Sequence, residues 1–316
     1  MKEKLVVLAG PTATGKTDLS IAIAKALNGE IISADSMQIY RYMDIGTAKV
    51  SRDEMEGIPH HLIDFLDPDQ EFSVAMYSEY AKSLISEINE KGKLPIVVGG
   101  TGLYINSLVY DLEFGRIEPL PDYRAELETI YMESGGQYLL DMLKKVDEES
   151  ASRLGPKDKK RIIRALEVYK ATGESLSAQG GSFRKETERY ELSYYCLNMD
   201  REKLYDRINH RVDLMMDKGL TEEVKNLLLK GYHRELQSMQ AIGYKEICQY
   251  LYGECTLDEA VNRIKQGSRN YAKRQLTWFR RDNRIKWIDI DTFDDKADLF
   301  SFLINDIERL NDKEGL

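Results

Sequence analysis

Five apolar or small residues, Leu5 to Ala9, open the chain in "MKEKLVVLAG"; a Gly-rich turn follows, and "GKTDLSIAIAKALNG" then continues in a helical pattern. The alternation recurs in "EIISADS", a helical stretch from about Ser73 to Lys91, and "LPIVVGGTG". Apolar runs followed by helices predict parallel strands buried on both faces, hence an α/β sheet whose strand ends carry the polar residues. From about Phe114 the pattern becomes helical periodicity broken by Pro and Gly, closed by the loose "GESLSAQGGSFRKETERY". A strand pattern returns at "YELSYYCLNM", helices are expected at 200–217, 220–231, 237–252 and 256–281, and "IKWIDI" reads as a last strand. The expected architecture is a P-loop-type parallel sheet flanked by helices over 1–113 and 192–300. A helical insertion over 114–191 interrupts it and a tail helix over 301–316 ends it.

Composition narrows the class. Of 316 residues 42% are hydrophobic and 31% charged, as in a soluble globular enzyme. No apolar run approaches the roughly 18 residues of a membrane span, and the N-terminus reads as a strand rather than a secretory signal, so the expectation is a cytoplasmic protein. Three scattered cysteines (Cys196, Cys248, Cys255) and four histidines argue against a disulfide framework and against zinc. A net charge of −9 argues against nucleic acid. The distribution is uneven, however: "RNYAKRQLTWFRRDNRIK", from Arg269 to Lys286, carries seven Lys or Arg against one Asp.

Gly10-Pro11-Thr12-Ala13-Thr14-Gly15-Lys16-Thr17 fits G-x-x-x-x-G-K-[ST] between a predicted strand and helix, the setting of a phosphate-binding P-loop. Backbone N–H groups would cradle phosphate oxygens, Lys16 would add a charge, and the Thr17 hydroxyl is placed to ligate Mg²⁺. The motif implies a phosphorylated ligand and does not say whether that ligand is a nucleotide such as ATP. Asp35 ends the second strand in "EIISADSMQIY", where it could bind Mg²⁺, take a proton from a nucleophile, or cap the next helix together with Ser36. Gln38 has the donors and acceptor to read a base edge. In "VVGGTGLYINSL" the glycines permit close approach of backbone to a ligand; Thr101 would project into the same crevice as Asp35, or serve as an N-cap. Arg211 lies about 55° from the centre of the stripe formed by Leu204, Ile208, Val212 and Met215. An arginine at such a border needs an anion, either an acidic neighbour or a phosphate. Lys160, Arg161 and Arg164 lie on the polar side of a helix whose Ile162 and Ile163 give apolar contacts. Arg274 and Arg280 belong to a basic, aromatic-rich segment that suits either a nucleic-acid surface or a helix docking on the core.

Taken together, "GPTATGKT", "DSMQIY", "GGTGLY", "RIIRALEVYKATG", "RINHRVDLMMDKGLTEEV", "QAIGYKE" and "RNYAKRQLTWFR" resemble the bacterial tRNA dimethylallyltransferases, in family order from about residue 4 to 288. The resemblance implies transfer of a dimethylallyl group from dimethylallyl diphosphate to N6 of adenosine 37 in the anticodon loop of tRNAs reading codons that start with U. It implies that Gly10 to Thr17 hold the diphosphate with Mg²⁺, that Lys16 and Arg211 clamp the leaving group, that Asp35 is the general base and that Thr101 contacts the substrate. Ser36, Met37 and Gln38 would meet the loop bases. Arg124, Lys160, Arg161, Ile162, Ile163 and Arg164, and Gln240, Ala241, Ile242, Gly243, Tyr244 and Lys245, match further tRNA-contacting positions of the anticodon stem-loop site. The chain ends "SFLINDIERLNDKEGL", without the Cys and His ligands of the zinc finger that eukaryotic members often carry, so a shorter, zinc-free monomer is expected. Lys160 stands where many members have an uncharged side chain. Two other readings remain at this point: a P-loop kinase for a small metabolite, and a nucleotide-switched tRNA-binding protein without catalysis.

Overall fold

The run Glu3–Ala9 forms β1, whose last five residues are all buried, as a central strand covered on both faces must be. The computed structural model that contains it describes residues 2–112, 120–179 and 185–312. Along the chain follow α1 (Lys16–Ala26), β2 (Gly29–Ala34), β3 (His60–His61), α2 (Val74–Glu90), β4 (Leu94–Gly99) and α3 (Gly102–Val109). Then come α4 (Pro121–Val146), α5 (Glu148–Ser152), α6 (Lys159–Thr172), α7 (Leu176–Gln179), β5 (Tyr190–Asn198), α8 (Arg201–Asp217) and α9 (Leu220–Leu229). The described chain closes with α10 (Tyr244–Leu251), α11 (Leu257–Phe279), β6 (Lys286–Asp289) and α12 (Lys296–Asp312).

These elements form two compact units, Met1–Val109 with Thr187–Leu316, and Tyr110–Glu186. The helical unit therefore ends before residue 191. Thr187 already bonds back to the Val109 carbonyl at 3.3 Å, and β5 begins at Tyr190. Its expected first residue, 114, lies outside the described residues, as do 313–316 of the tail helix, which begins at Lys296 rather than 301. The single helix expected over 237–252 is broken. A 3-10 turn, Ser238–Gln240, precedes α10, and Gly243 between them has φ 100°, a value no residue inside an α-helix adopts.

In the first unit all strand pairs are parallel, in the order β3-β2-β4-β1-β5-β6. Val6 and Leu8 join Ile21 and Ile23 of α1 and Leu303 and Ile307 of α12 in one apolar cluster, while α2 and α3 pack against β2 and β4. β3 has only two residues, too few to show a strand periodicity; His60 and His61 pair with Ile31 and Ile32 of β2. Register decides where chemistry can occur: Gly99 stands opposite both Ala9 and Ala34, so Gly10, Asp35 and Gly100 leave the sheet side by side. That junction tolerates no side chain at Gly99, where a Cβ would lie 2.2 Å from the Ala34 carbonyl oxygen.

The second unit has its own core of Leu127, Leu139, Leu143, Ile162 and Ile163. α4 bends at Gly135, whose φ is 80°. Glu167 is 0% exposed and accepts from Arg124 at 2.8 and 3.0 Å, from Arg164 at 2.9 Å and from the Leu120 N–H at 3.1 Å. Burial alone would raise its carboxyl, yet these donors outweigh that and hold it below the usual range.

Gly99→Ala tests the register argument. Because the clash is with backbone, we predict a loss of about 2 kcal/mol or more in urea unfolding; a change within about 0.5 kcal/mol, the size of a surface substitution, would show that the strand ends are not held this closely.

Candidate active site

The phosphate cradle is built from backbone. β1 ends at Ala9 and the chain turns at Gly10, φ 149°, where a Cβ would meet the Leu197 carbonyl at 3.0 Å. Ala13 (φ 67°) and Gly15 (φ 86°) are left-handed, the alternation that makes successive N–H groups converge on an anion. α1 starts at Lys16 with no side-chain cap on its first N–H groups. Lys16 Nζ and Thr14 Oγ1 both donate to the Pro11 carbonyl, at 2.7 and 2.9 Å. Burial pulls the Lys16 ammonium down to about 8; Arg211 pushes the same way, and Cys196 and Asp35 oppose.

Arg211 comes from the border of the apolar stripe of α8, where Leu204, Ile208 and Val212 are buried. Burial lowers its guanidinium, and Asp35 opposes that shift. Among the described residues no carboxylate forms an ion pair with it. Of the two partners the sequence left open, an acidic one is represented among the described residues only by the electrostatic influence of Asp35, without an ion pair. A cavity of about 630 Å³ opens beside the cradle, with Thr17, Ile21, Arg211, Leu214 and Met215 in its wall.

Magnesium fits this donor set. Among the described residues no group of three or more His, Cys, Asp or Glu could hold a metal. Mg²⁺ bound with a phosphorylated substrate needs only one or two protein oxygens and completes its shell from phosphate and water. The exposed Thr17 hydroxyl, at the start of α1, is such an oxygen.

Asp35 follows β2 and its Oδ1 accepts the Met37 and Gln38 N–H groups at 2.8 and 3.3 Å. The capping alternative for Asp35 and Ser36 is corrected by this geometry: residues 36–59 contain no helix, and the carboxylate closes a local turn instead. The turn engages Oδ1. Thr101 is bound to the same corner. Its N–H donates to the Ala34 carbonyl at 3.1 Å and its hydroxyl accepts the Ser36 N–H at 3.1 Å. Its hydroxyl therefore serves the Asp35 loop rather than the start of α3. Gln38 donates its amide to the Thr47 and Ala48 carbonyls at 3.2 and 3.3 Å, which ties up the donor side of the group expected to read a base.

The glycines of "GGTG" make room for protein, not ligand. A Cβ on Gly100 would stand 2.0 Å from Gln275 Nε2, and one on Gly102 would stand 2.2 Å from the Trp278 ring. Both partners lie on α11. Phe279 of this helix is buried and Tyr271 sits close to Asp35 and Thr101, whereas Lys273, Arg274, Arg280 and Arg281 are exposed. Of the two readings of the basic aromatic segment, docking of a helix on the core is seen in the buried Gln275 and Phe279, while the basic side chains stand in solvent. Tyr271 and Gln275 went unrecognised as site residues; the only signal was the four-residue spacing of Tyr271, Gln275 and Phe279.

The remaining residues matched to tRNA contacts differ in exposure. Lys160 and Arg161 are exposed and Arg124 and Arg164 half-exposed on Glu167, but Ile162 and Ile163 are 0% and 4% exposed and face the core of their unit. In the first unit Gln240 is exposed, with its amide on the Arg234 carbonyl at 2.6 Å, and Lys245 lies 3.5 Å from Glu246. Ala241 and Gly243 are buried and Ile242 is half-buried. Tyr244 is buried and donates to Glu223 at 2.5 Å. Glu223 in turn accepts the N–H groups of Asp44, Ile45 and Gly46, so this segment braces the loop that follows Asp35.

The family model for IPP transferase matches residues 38–282. A tRNA dimethylallyltransferase of Carboxydothermus hydrogenoformans is 55% identical over 289 residues, covering 92% of this chain and 93% of the relative. The crystal structure of the full-length tRNA isopentenylpyrophosphate transferase from Bacillus halodurans is 48% identical, with a TM-score of 0.73 and 100% of both chains covered. A eukaryotic dimethylallyltransferase captured acting on tRNA gives a TM-score of 0.82 at 29% identity, over 98% of this chain and 80% of that one.

The depressed Lys16 ammonium, at about 8, yields a pH prediction. Affinity for inorganic diphosphate should weaken as pH rises through that value, because only the protonated amine attracts the anion and binding raises its pKa. Calorimetric titration from about pH 7 to about 9.5 reads this directly. Lys16→Arg keeps its charge throughout and should lose that part of the pH dependence; superimposable wild-type and variant profiles would contradict the argument.

Proposed function

The chain belongs to the IPP transferase family, and from that premise we propose that it transfers a dimethylallyl group from dimethylallyl diphosphate to N6 of adenosine 37 in the anticodon loop of tRNAs reading codons that start with U. Diphosphate is the leaving product. Membership of the family removes the metabolite kinase and the non-catalytic switch as readings. The observation that carries the proposal is the meeting, at three adjacent strand ends, of an anion cradle with the Asp35 carboxylate and the Thr101 hydroxyl.

An aromatic exocyclic amine is a weak nucleophile, so the reaction depends on departure of the diphosphate from an allylic carbon that tolerates cationic character. The C1–O bond breaks with its electron pair passing to the diphosphate, where Lys16, Arg211 and the N–H groups of the cradle stabilise the new charge. N6 bonds to C1, and its proton passes to Asp35, whose Oδ1 is already fixed by two backbone N–H groups. Mg²⁺ held on Thr17 and the diphosphate would supply further neutralisation of the leaving group. The cavity that reaches Thr17 and Arg211 offers the donor an approach to the cradle. Adenine 37 has to leave the loop stack to reach Asp35, at a smaller cost than in a duplex.

For the RNA, exposed Lys160, Arg161, Arg274 and Arg280 and half-exposed Arg124 and Arg164 supply phosphate contacts, and Ser36, Met37 and Gln38 border the base pocket. An acidic chain then binds RNA through local basic surfaces, as a cytoplasmic monomer.

The test is incorporation of label from dimethylallyl diphosphate, with Mg²⁺, into unmodified tRNA carrying A36-A37-A38. Asp35→Ala should lower turnover by roughly 10²–10⁴ while tRNA binding survives; lost binding with unchanged turnover of bound tRNA would make Asp35 structural. Arg211→Ala should raise the KM for the donor by about tenfold or more, and an unchanged value would sink its role as a clamp. ATP consumption with a small acceptor and no label in tRNA would refute the proposal as a whole.

A further inference from the structure

Gln275 is 5% exposed and both ends of its amide are used. Oε1 accepts the Thr12 N–H at 3.3 Å and Nε2 donates to the Gly100 carbonyl at 2.9 Å. Thr12 belongs to the first limb of the phosphate cradle, and Gly100 directly precedes Thr101. Gly100 has no side chain because the amide lies where its Cβ would go, 2.0 Å from Nε2. One turn earlier on α11, Tyr271 lies close to Thr101, Gln275 and Asp35. A single buried amide therefore joins the half of the site that receives the leaving group to the half that receives the nucleophile.

We propose that Gln275 is a positioning residue for the transfer step: its two hydrogen bonds fix the separation between the departing diphosphate and the Asp35–Thr101 corner, so that the donor's C1 stays in line with N6 of the adenine. The inference rests on the function proposed above and assigns Gln275 no contact with substrate. Its physical basis is that a buried amide with both partners satisfied has no cheap alternative arrangement, and that a displacement of about 1 Å at a reacting pair can cost on the order of 100-fold in rate. Loss of the tie should do more than slow the enzyme. If the C1–O bond still ionises at the cradle while N6 is out of line, water takes the carbon. The electron pair of the broken bond goes to diphosphate, the water oxygen bonds C1, a proton leaves to solvent, and the products are dimethylallyl alcohol and diphosphate. Transfer and donor loss become uncoupled.

The experiment measures prenylated tRNA and dimethylallyl alcohol together, with the full chain, Mg²⁺, dimethylallyl diphosphate and unmodified tRNA. Gln275→Met keeps most of the volume without the hydrogen bonds. It should lower kcat for transfer by about 10- to 100-fold, leave the donor KM and tRNA Kd within about threefold, and raise the ratio of alcohol to prenylated tRNA by about tenfold. Gly100→Ala should reproduce this with Gln275 present, because the added methyl displaces the amide. The double variant Gly100→Ala/Gln275→Ala refills the space without the donor and acceptor, and should stay uncoupled. Coupled transfer regained in the double variant would make Gln275 a space-filling residue and overturn the inference. Transfer and alcohol formation falling in parallel, or an unchanged kcat, would overturn it as well. A wild-type chain that prenylates no tRNA would instead overturn the underlying reading, and this inference with it.

Discussion

Lys16 and Arg211 are two cations gathered at the end of β1, where burial penalises the charge of both. Lys16 rests on a carbonyl, Arg211 forms no ion pair among the described residues, and each acts electrostatically against the other or toward Asp35. Desolvated charge of this kind is costly unless an anion arrives to meet it. The rest of the first unit can be understood as the means of maintaining that arrangement. Parallel register aligns three strand ends. α1 begins without a side-chain cap, and the stripe of Leu204, Ile208 and Val212 seats α8 so that its border arginine faces inward.

Across that junction lies the opposite requirement, a base for the incoming amine. Asp35, for which that role is proposed, has one oxygen locked in a turn and Thr101 bound to the same loop. α11 connects the two sides. Tyr271 and Gln275 on its inner side reach the loops of the site and Phe279 is buried, while Arg274, and Arg280 just past the helix end, stand in solvent. Local separation of charge of this sort is how a chain of net charge −9 can present basic surfaces to RNA. The helical unit uses its arginines in two ways: Arg124 and Arg164 satisfy the buried Glu167, while Lys160 and Arg161 remain in solvent.

Much of this was legible in the order of residues. The parallel sheet followed from short apolar runs that alternate with helices, and the cradle from Gly10 to Thr17 in a strand–helix setting. Asp35 and Thr101 stood out because each ends a strand. What stayed hidden depends on contacts distant in sequence. The glycines at 99, 100 and 102 looked like openings for a ligand, yet Ala34, Gln275 and Trp278 fill those spaces. Gln275 lies 263 residues from Thr12, so no local pattern could pair them. Tyr244 and Glu223 brace the loop at Asp44 to Gly46 by the same kind of remote contact. β3 escaped because two residues cannot show a period.

The central claim is that the cradle grips a leaving group rather than a nucleotide to be hydrolysed. The most direct measurement is a crystal structure of the chain with an anticodon stem-loop, Mg²⁺ and the unreactive thiolodiphosphate analogue of dimethylallyl diphosphate. The account predicts both phosphates within Gly10 to Thr17, Arg211 on the diphosphate, and N6 of adenosine 37 hydrogen-bonded to Asp35. A diphosphate bound away from the cradle, or an adenine that never reaches Asp35, would contradict it.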